Sequence, residues 1–194
     1  MSNVRPHKTT VAVQSLPLET SSVRLRHFVP EDAAPMMALN AEPSTRHWLP
    51  SHVYPTLEDA SSRLRFLISC YSAPGHPQRG PYVLAVEHKG EAKLLGHVGF
   101  SPFDNEVEVS YAIAESFRGR GYGTDALVHA CSWLADTFAV SRVLALTESA
   151  NESSRRLLGR ASFVRVHESV MMFQGREQLV SRYHWHPPGN RGVA

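Results

Sequence analysis

Seven consecutive residues, 118–124, combine glycine and arginine where a predicted strand gives way to a predicted helix. They read Arg118-Gly119-Arg120-Gly121-Tyr122-Gly123-Thr124. A helix N-terminus offers unpaired N–H groups and a partial positive charge, and glycine lets the backbone come close to an oxyanion. The two arginines add full charges. The stretch therefore favours phosphate or pyrophosphate binding.

Three phosphate-binding patterns can be compared with this loop. A Walker P-loop needs a lysine that the stretch lacks. The dinucleotide pattern G-x-G-x-x-G/A fails from Gly119 but fits from Gly121, where Ala126 is last. A predicted antiparallel hairpin before the loop and the lack of a second βαβ unit after it argue against a dinucleotide fold. The pattern R-x-x-G-x-G at Arg118, Gly121 and Gly123 also fits, and it is more specific.

The elements that must position this loop follow from hydrophobic periodicity. Strands are predicted over 23–28, 82–87, 94–103, 106–114, 142–147, 163–173 and 178–185. Helices are predicted over 30–40, 56–72, 124–138 and 151–160, with N-caps at Asp32, Thr56 and Asn151. The pair Asp104-Asn105 predicts a hairpin turn. This order predicts one mixed α/β or α+β sheet.

The overall composition suits one globular domain. The chain has 194 residues and a formal net charge of +2, with 17 Arg and 3 Lys. Residues 1–16 are predicted to be a flexible lead-in, 17–186 the single domain and 187–194 a tail. The charge is too small to indicate a nucleic-acid or polybasic membrane surface. No apolar run is long enough for a membrane span.

Other features of the sequence concern location and metals. The polar N-terminus lacks the apolar region of a secretory signal, and Cys70 and Cys131 read as buried thiols in a reducing cytoplasm. We therefore expect a cytoplasmic protein. His184 and His186 form an H-x-H pair, but no third ligand is evident, so no metal site is expected.

The sequence resembles the GNAT superfamily of N-acetyltransferases from about residue 18 to 185, and the RimJ/RimL-type ribosomal-protein branch in particular. The R-x-x-G-x-G loop resembles the family's acetyl-CoA pyrophosphate loop. Residues 95–100, Leu-Gly-His-Val-Gly-Phe, resemble its third strand and residues 108–111, Glu-Val-Ser-Tyr, its fourth. Residues 151–158 resemble its N-x-x-S-x-R-L-L helix. The resemblance implies a mostly antiparallel sheet of about seven strands, flanked by helices, with a V-shaped splay between strands four and five.

The resemblance also implies where acetyl-CoA binds. Pyrophosphate would contact the N–H groups of residues 118–124. The pantetheine arm would pair with the main chain of the fourth strand and contact the Asn helix. The residues so implied are Tyr111, Ala112, Ile113, Arg118, Gly119, Arg120, Gly121, Tyr122, Gly123, Thr124, Asn151 and Ser154. The alternative for Asn151 is a purely structural role as a helix cap.

Three residues are candidates for the chemistry of direct acetyl transfer to an amine. A base must take a proton from the amine; Glu108 is the first choice, by resemblance to the fourth-strand Glu, and His97 is the second. Ser154 would reach the thiol. The N–H of Ile113 would meet the oxyanion. The alternatives are that Glu108 is a surface or ion-paired residue and that His97 is a structural histidine. Leu158 stands where many relatives have a tyrosine acid, which leaves the general acid unassigned.

The implied function is transfer of an acetyl group from acetyl-CoA to a primary amine, in a protein N-terminus or a small molecule. His47 and Trp48 lie in the region that builds the acceptor pocket in the family, although they are also compatible with simple packing. A non-catalytic acyl-CoA-binding module is the alternative. Nucleic-acid binding through the Arg-Gly pairs fits poorly, no membrane partner is expected, and a homodimer is left open.

Overall fold

The computed structural model describes residues 15–72 and 75–189. Within them lie eight strands: β1 Leu18–Glu19, β2 Val23–Arg26, β3 Tyr82–His88, β4 Leu94–Phe103, β5 Glu106–Ile113, β6 Val143–Glu148, β7 Val164–Phe173 and β8 Arg176–Trp185. The α-helices are α1 Ala33–Ala41, α2 Pro43–Trp48, α3 Leu57–Ser69, α4 Tyr122–Phe138 and α5 Glu152–Arg160. Short 3-10 turns occupy Pro30–Asp32, Pro50–His52 and Glu115–Phe117.

The strands form a single sheet in the order β1-β2-β3-β4-β5-β6-β8-β7. Every neighbouring pair is antiparallel except β5 and β6, which are parallel. The expectation of a mixed, mostly antiparallel sheet flanked by helices is confirmed. The sheet has one strand more than the seven expected, because β1 pairs Leu18 with Leu25 and Glu19 with Arg24. A two-residue strand is too short to show alternation in the sequence.

Local sequence signals explain several element boundaries. Asp104 and Asn105 both have positive φ angles, of 46° and 64°, which is the backbone of a tight hairpin turn. The β4–β5 hairpin predicted there is confirmed. The hydroxyl of Thr56 accepts the N–H of Asp59, and the Asp59 carboxylate accepts the N–H of Thr56. This capping box fixes the start of α3.

Other boundaries differ from the predictions. The helix expected over 30–40 is a 3-10 turn followed by α1. Asp32 precedes α1 but makes no side-chain cap, because its carboxylate accepts the N–H of Val29 and pairs with Arg26. Helix α4 begins at Tyr122, two residues before the predicted start. Its first turn contains Gly123, and glycine has a low helix propensity, so the sequence does not indicate a helix there. The spacing of Leu57, Ala60, Leu64 and Leu67 predicts that all four lie on the buried face of α3, but Leu57 is 51% exposed.

Apolar clusters pack both faces of the sheet. On one face α4 packs Leu127 and Leu134 into a cluster with Val98 and Phe100. On the other face α1 and α3 pack against Ala85. Alternation along β5 follows the same division, so that odd-numbered residues face α4 and even-numbered residues face the α1–α3 layer.

The predicted lead-in and tail lie largely outside the described residues. Only 15 and 16 of the lead-in and 187–189 of the tail are included. Among the described helices, none is both long and apolar enough to cross a membrane. Cys131 is buried, Cys70 is half-buried, and both are free thiols.

Candidate active site

A gap opens in the sheet between β5 and β6. The two strands pair only at Val107–Val143 and Glu108–Leu144, after which β6 continues to pair with β8 alone. A cavity of about 740 Å³ occupies this region. Its lining includes residues of α2, β5, the glycine-rich loop, the start of α4, β6 and α5. The gap corresponds to the V-shaped splay expected from the sequence.

The glycine-rich loop forms one end of the cavity and is shaped for an anion. Gly121 precedes α4 with φ 86°, and a Cβ placed there would meet no atom within 4 Å. The first hydrogen bond of α4 runs from the N–H of Asp125 to the carbonyl of Gly121, at 3.0 Å. The N–H groups of Tyr122, Gly123 and Thr124 precede that bond and have no acceptor within the helix. The open backbone and free donors fit a diphosphate.

The two arginines of the loop both contact groups of the protein, and of the two Arg118 lines the cavity. Arg118 donates Nε–H to the carbonyl of Ile113 at 2.6 Å and Nη1–H to Ser44 Oγ. Arg120 does not line the cavity; its guanidinium lies 5.8 Å from the ring centroid of Phe117. Binding of the phosphate by Arg118 and Arg120 stays a prediction.

The main chain of β5 presents free groups to the gap. The N–H of Ala114 bonds to the carbonyl of Leu95 on β4, at 2.8 Å. Because an antiparallel ladder alternates, the N–H groups of Tyr111 and Ile113 point away from β4, toward the gap. The carbonyl of Ala112 instead points at Gly96 on β4, so Ala112 contributes its side chain to the lining and its backbone to the sheet.

Glu108 is a carboxylic acid without a charged partner. It lines the cavity, and burial raises its pKa to about 7. No hydrogen bond or ion pair reaches its carboxylate within the described chain. Glu106, two residues earlier on the same face, pairs with Arg142 and Arg182. Alternation alone could not distinguish these two acids, because their difference comes from residues on distant strands.

His97 lies behind the cavity wall. It is 4% exposed and does not line the cavity, and burial lowers its pKa to about 3. Its Nε2 is buried without a hydrogen-bond partner among the described residues. The ring of His52, which does line the cavity, lies 5.5 Å from it, centroid to centroid. His52 was not singled out from the sequence, where it is one histidine in a proline-rich stretch.

Asn151, Ser154 and Tyr111 form a linked group at the α5 side of the cavity. Asn151 Oδ1 accepts the N–H of Ser154 at 3.0 Å, and so caps α5. Ser154 Oγ lies 2.8 Å from the hydroxyl of Tyr111. Burial raises the pKa of Tyr111, so the hydroxyl stays protonated. The sequence assigned Tyr111 a main-chain role only, and its side-chain contact with Ser154 was missed.

Helix α2 and several later elements complete the cavity lining. Trp48 lines the cavity, whereas the exposed His47 does not, although the two rings meet edge to face with centroids 4.3 Å apart. Glu148, Arg160, Phe173 and Gln174 also contribute to the lining. None of these four was predicted as a site residue, since the ends of strands and helices and the tips of hairpins carry no local signal of a shared cavity.

The H-x-H pair belongs to a different part of the molecule. His184 Nε2 lies 3.3 Å from Glu106 Oε1, and the His186 ring is 6.3 Å from that of His184. In the chain as described, no group of three or more His, Cys, Asp or Glu side chains is arranged to hold a metal ion.

Comparison with known proteins gives the chain its family. Residues 22–164 match the acetyltransferase (GNAT) domain. No curated protein matches the sequence. A GNAT-family acetyltransferase from Bacillus anthracis is 15% identical, with a TM-score of 0.74 over 87% of this chain and 96% of that one.

Two further solved structures share the fold. The ribosomal-protein-S5-alanine acetyltransferase from Vibrio fischeri is 21% identical, with a TM-score of 0.74 over 92% of this chain and all of that one, 100%. RimL, a ribosomal L7/L12 alpha-N-protein acetyltransferase solved with coenzyme A, is 14% identical, with a TM-score of 0.72 over 87% and 96%. Since the family match covers most of the sequence, the chain belongs to the GNAT acetyltransferase family and is an enzyme of the N-acetyltransferase class.

Proposed function

We propose that this protein transfers the acetyl group of acetyl-CoA to a primary amine, by direct attack in a ternary complex. One observation carries the proposal: a half-buried carboxylate without a charged partner, Glu108, shares a cavity with an anion-binding helix N-terminus. The catalytic domain is proposed to span residues 17–186. Acetyl-CoA is the cosubstrate, and the residues present suit it.

The diphosphate is proposed to bind at the N-terminus of α4. The free N–H groups of residues 119–124 supply donors, and Gly119 and Gly121 leave the space around them open. The pantetheine arm is proposed to pair with the N–H groups of Tyr111 and Ile113. Asn151 retains its side-chain amide N–H groups for this arm, because its Oδ1 is the atom used in capping α5.

Glu108 is proposed to be the general base. A base works best when the pKa of its conjugate acid is near the working pH. Burial raises the pKa of Glu108 to about 7. The carboxylate would take the proton that the attacking amine must lose. His97 is a weaker choice, since a pKa of about 3 makes it a poor proton acceptor.

Ser154, supported by Tyr111, is proposed to return a proton to the departing thiolate. The serine hydroxyl lines the cavity and already shares a hydrogen bond with the tyrosine hydroxyl. The N–H of Ile113 would stabilise negative charge on the carbonyl oxygen of the acetyl group. This assignment fills the role that Leu158 cannot, because Leu158 is 1% exposed within the core.

The acceptor is proposed to be a primary amine, such as a protein N-terminus, bound beside Trp48. Two structural relatives are named for acetylation of ribosomal proteins. His47 lies next to Trp48 outside the cavity lining and would contact the part of an acceptor that extends to the surface. A small-molecule amine remains the alternative acceptor within the same reaction.

The direct test is thiol release from acetyl-CoA with a panel of peptides and small amines. We expect release that depends on an acceptor, and we expect it to fall at least about a hundredfold in Glu108→Gln. Tight binding of acetyl-CoA by calorimetry with no acceptor-dependent release from any amine would instead favour the non-catalytic module.

A further inference from the structure

Two hydrogen bonds to glutamate side chains join the start of α2 to the segment that follows β5. The N–H of Glu115 donates to Glu42 Oε2 at 2.9 Å. The N–H of Ser44 donates to Glu115 Oε1 at 3.1 Å. Glu42 is the N-cap residue of α2 and Ser44 is the second residue of that helix, while Glu115 lies between β5 and the glycine-rich loop. The start of the helix that carries Trp48 is therefore held by the segment that leads into the anion site.

Arg118 reinforces the same junction. Its Nη1–H donates to Ser44 Oγ, Nη2 lies 3.7 Å from Glu42 Oε2, and Nη1 lies 4.0 Å from Glu115 Oε1. Its Nε–H donates to the carbonyl of Ile113. We refer to Glu42, Ser44, Glu115 and Arg118 as the α2 clasp. The guanidinium therefore lies among two carboxylates, the Ser44 hydroxyl and the Ile113 carbonyl, all of which belong to the protein.

Helix α2 has little stability of its own. It has six residues, its N-cap residue Glu42 makes no side-chain cap within the helix, and its first turn holds no acidic residue. Isolated helices need about 12–15 residues to be even marginally stable in water. Glu115 supplies from outside the acceptor that the Ser44 N–H lacks. The conformation of α2 thus depends on the loop that follows β5.

We infer that Arg118 and Glu115 are positioning residues that hold the acceptor helix α2 to the cofactor loop, so that ordering of the loop by coenzyme A also orders α2. This inference rests on the proposed function. It assigns Arg118 to the amine side of the site, not to the phosphate, although the sequence pattern places it first in R-x-x-G-x-G. The Arg118 side chain contacts both Ser44 on α2 and Ile113 at the end of β5, and so connects the two sides of the cavity.

The experiment measures amide hydrogen–deuterium exchange at residues 44–49 and 118–124, with and without saturating coenzyme A. In the wild-type protein we expect coenzyme A to slow exchange in both segments, by about fivefold or more at 44–49. In Arg118→Gln the slowing at 44–49 should be lost, while the Kd of coenzyme A, by calorimetry, changes by less than about threefold. Ser44→Ala, which removes one contact and leaves the charges, should give an intermediate result.

A matched control removes an arginine–glutamate pair elsewhere. Arg65 on α3 pairs with Glu58 at 2.8 Å on the surface, and Arg65→Gln should leave both segments as in the wild-type protein. If coenzyme A slowed amide exchange of the wild-type protein at 118–124 but not at 44–49, the coupling would be overturned and the proposed function would stand. A tenfold rise in the Kd of coenzyme A in Arg118→Gln would make Arg118 a phosphate ligand and overturn its assignment. No protection at 118–124 in the wild-type protein would overturn the proposed function itself.

Discussion

The hydroxyl of Tyr111 lies 2.8 Å from Oγ of Ser154, and joins the centre of β5 to the first turn of α5. Tyr111 is half-buried and burial raises its pKa, so the tyrosine hydroxyl is protonated at neutral pH. The pair supplies an ordered hydroxyl where the sequence had left the general acid unassigned.

Tyr111→Phe tests this pair because it removes one hydroxyl and leaves the ring. We expect kcat to fall about tenfold and the Kd of acetyl-CoA to stay unchanged, whereas Ser154→Ala lowers kcat by about a hundredfold. The double variant should be no slower than Ser154→Ala, because Tyr111 acts through the serine. Steady-state thiol release measures all three, and additive losses would mean that the two hydroxyls act independently.

The pH dependence of the rate tests Glu108 as base. With a pKa raised to about 7 by burial, the carboxyl is protonated and inactive at pH 5.5 and ionised at pH 8.5. The wild-type kcat/KM, which reports the pKa of the free enzyme, should therefore rise with pH through an inflection near 7. In Glu108→Gln that inflection should disappear along with most of the rate. An unchanged inflection in the variant would transfer the base role to another group.

Stability should respond to pH at Glu108 in a predictable direction. Between about 4.5 and 7 the folded state binds the Glu108 proton more tightly than the unfolded state, so stability falls as pH rises through this window. Glu108→Gln should leave the free energy of unfolding unchanged at pH 4 and raise it by up to about 3 kcal/mol at pH 8. Urea denaturation at both pH values measures the difference.

Glu106→Gln on the same strand is the matched control, with the opposite sign. Burial raises the pKa of Glu106, but the hydrogen bond and charge of Arg182 and the charge of Arg142 outweigh it, and the net pKa is lowered. The stabilisation by Glu106 is present above pH 4.5 and lost as pH falls further. Glu106→Gln should therefore destabilise the protein at pH 8. The same sign for both variants would contradict this account.

Gly121→Glu tests the anion site. Gly121 and Gly175 both have positive φ, of 86° and 80°, with open space around them, so glutamate at either position carries a similar backbone penalty of about 1–2 kcal/mol. Only Gly121→Glu places a negative charge at the N-terminus of α4. We expect calorimetry to detect no acetyl-CoA binding to it and normal binding to Gly175→Glu. Equal affinity in the two variants would refute the loop assignment.

Leu158→Tyr tests whether the common tyrosine acid can be restored. Leu158 lies in the main core with 1% exposure, so a tyrosine there overpacks the interior. We expect a loss of about 1–3 kcal/mol in unfolding free energy and no gain in kcat. A faster, equally stable variant would show that α5 can rotate to bring residue 158 into the cavity.

Much of the scaffold is readable from the sequence because its signals are local. The hairpin at Asp104-Asn105 and the caps at Thr56 and Asn151 depend on residues within three positions of each other. The glycine-rich loop is equally local. Asp32 shows the limit of such reasoning: a good N-cap residue was diverted by Arg26, a partner on a neighbouring strand.

The site was less predictable because its chemistry depends on distant partners. Glu106 and Glu108 look alike in the sequence, and the arginines that neutralise Glu106 come from β8 and from the residue before β6. Arg118 carries the signature of a phosphate ligand, yet Glu42 and Ser44, more than 70 positions away, engage its side chain. No periodicity or spacing rule encodes such contacts.

The gap between β5 and β6 has a consequence for the order of events. Glu108 and Tyr111 lie on opposite faces of β5, so the proposed base and the proposed acid group are separated by the sheet and communicate only through the opening. The sheet separates its two faces, and the gap between β5 and β6 connects them. Acetyl-CoA at the proposed site on α4 and an amine at the proposed site beside Trp48 would not block each other, which favours sequential kinetics with intersecting double-reciprocal lines and no product release before both have bound.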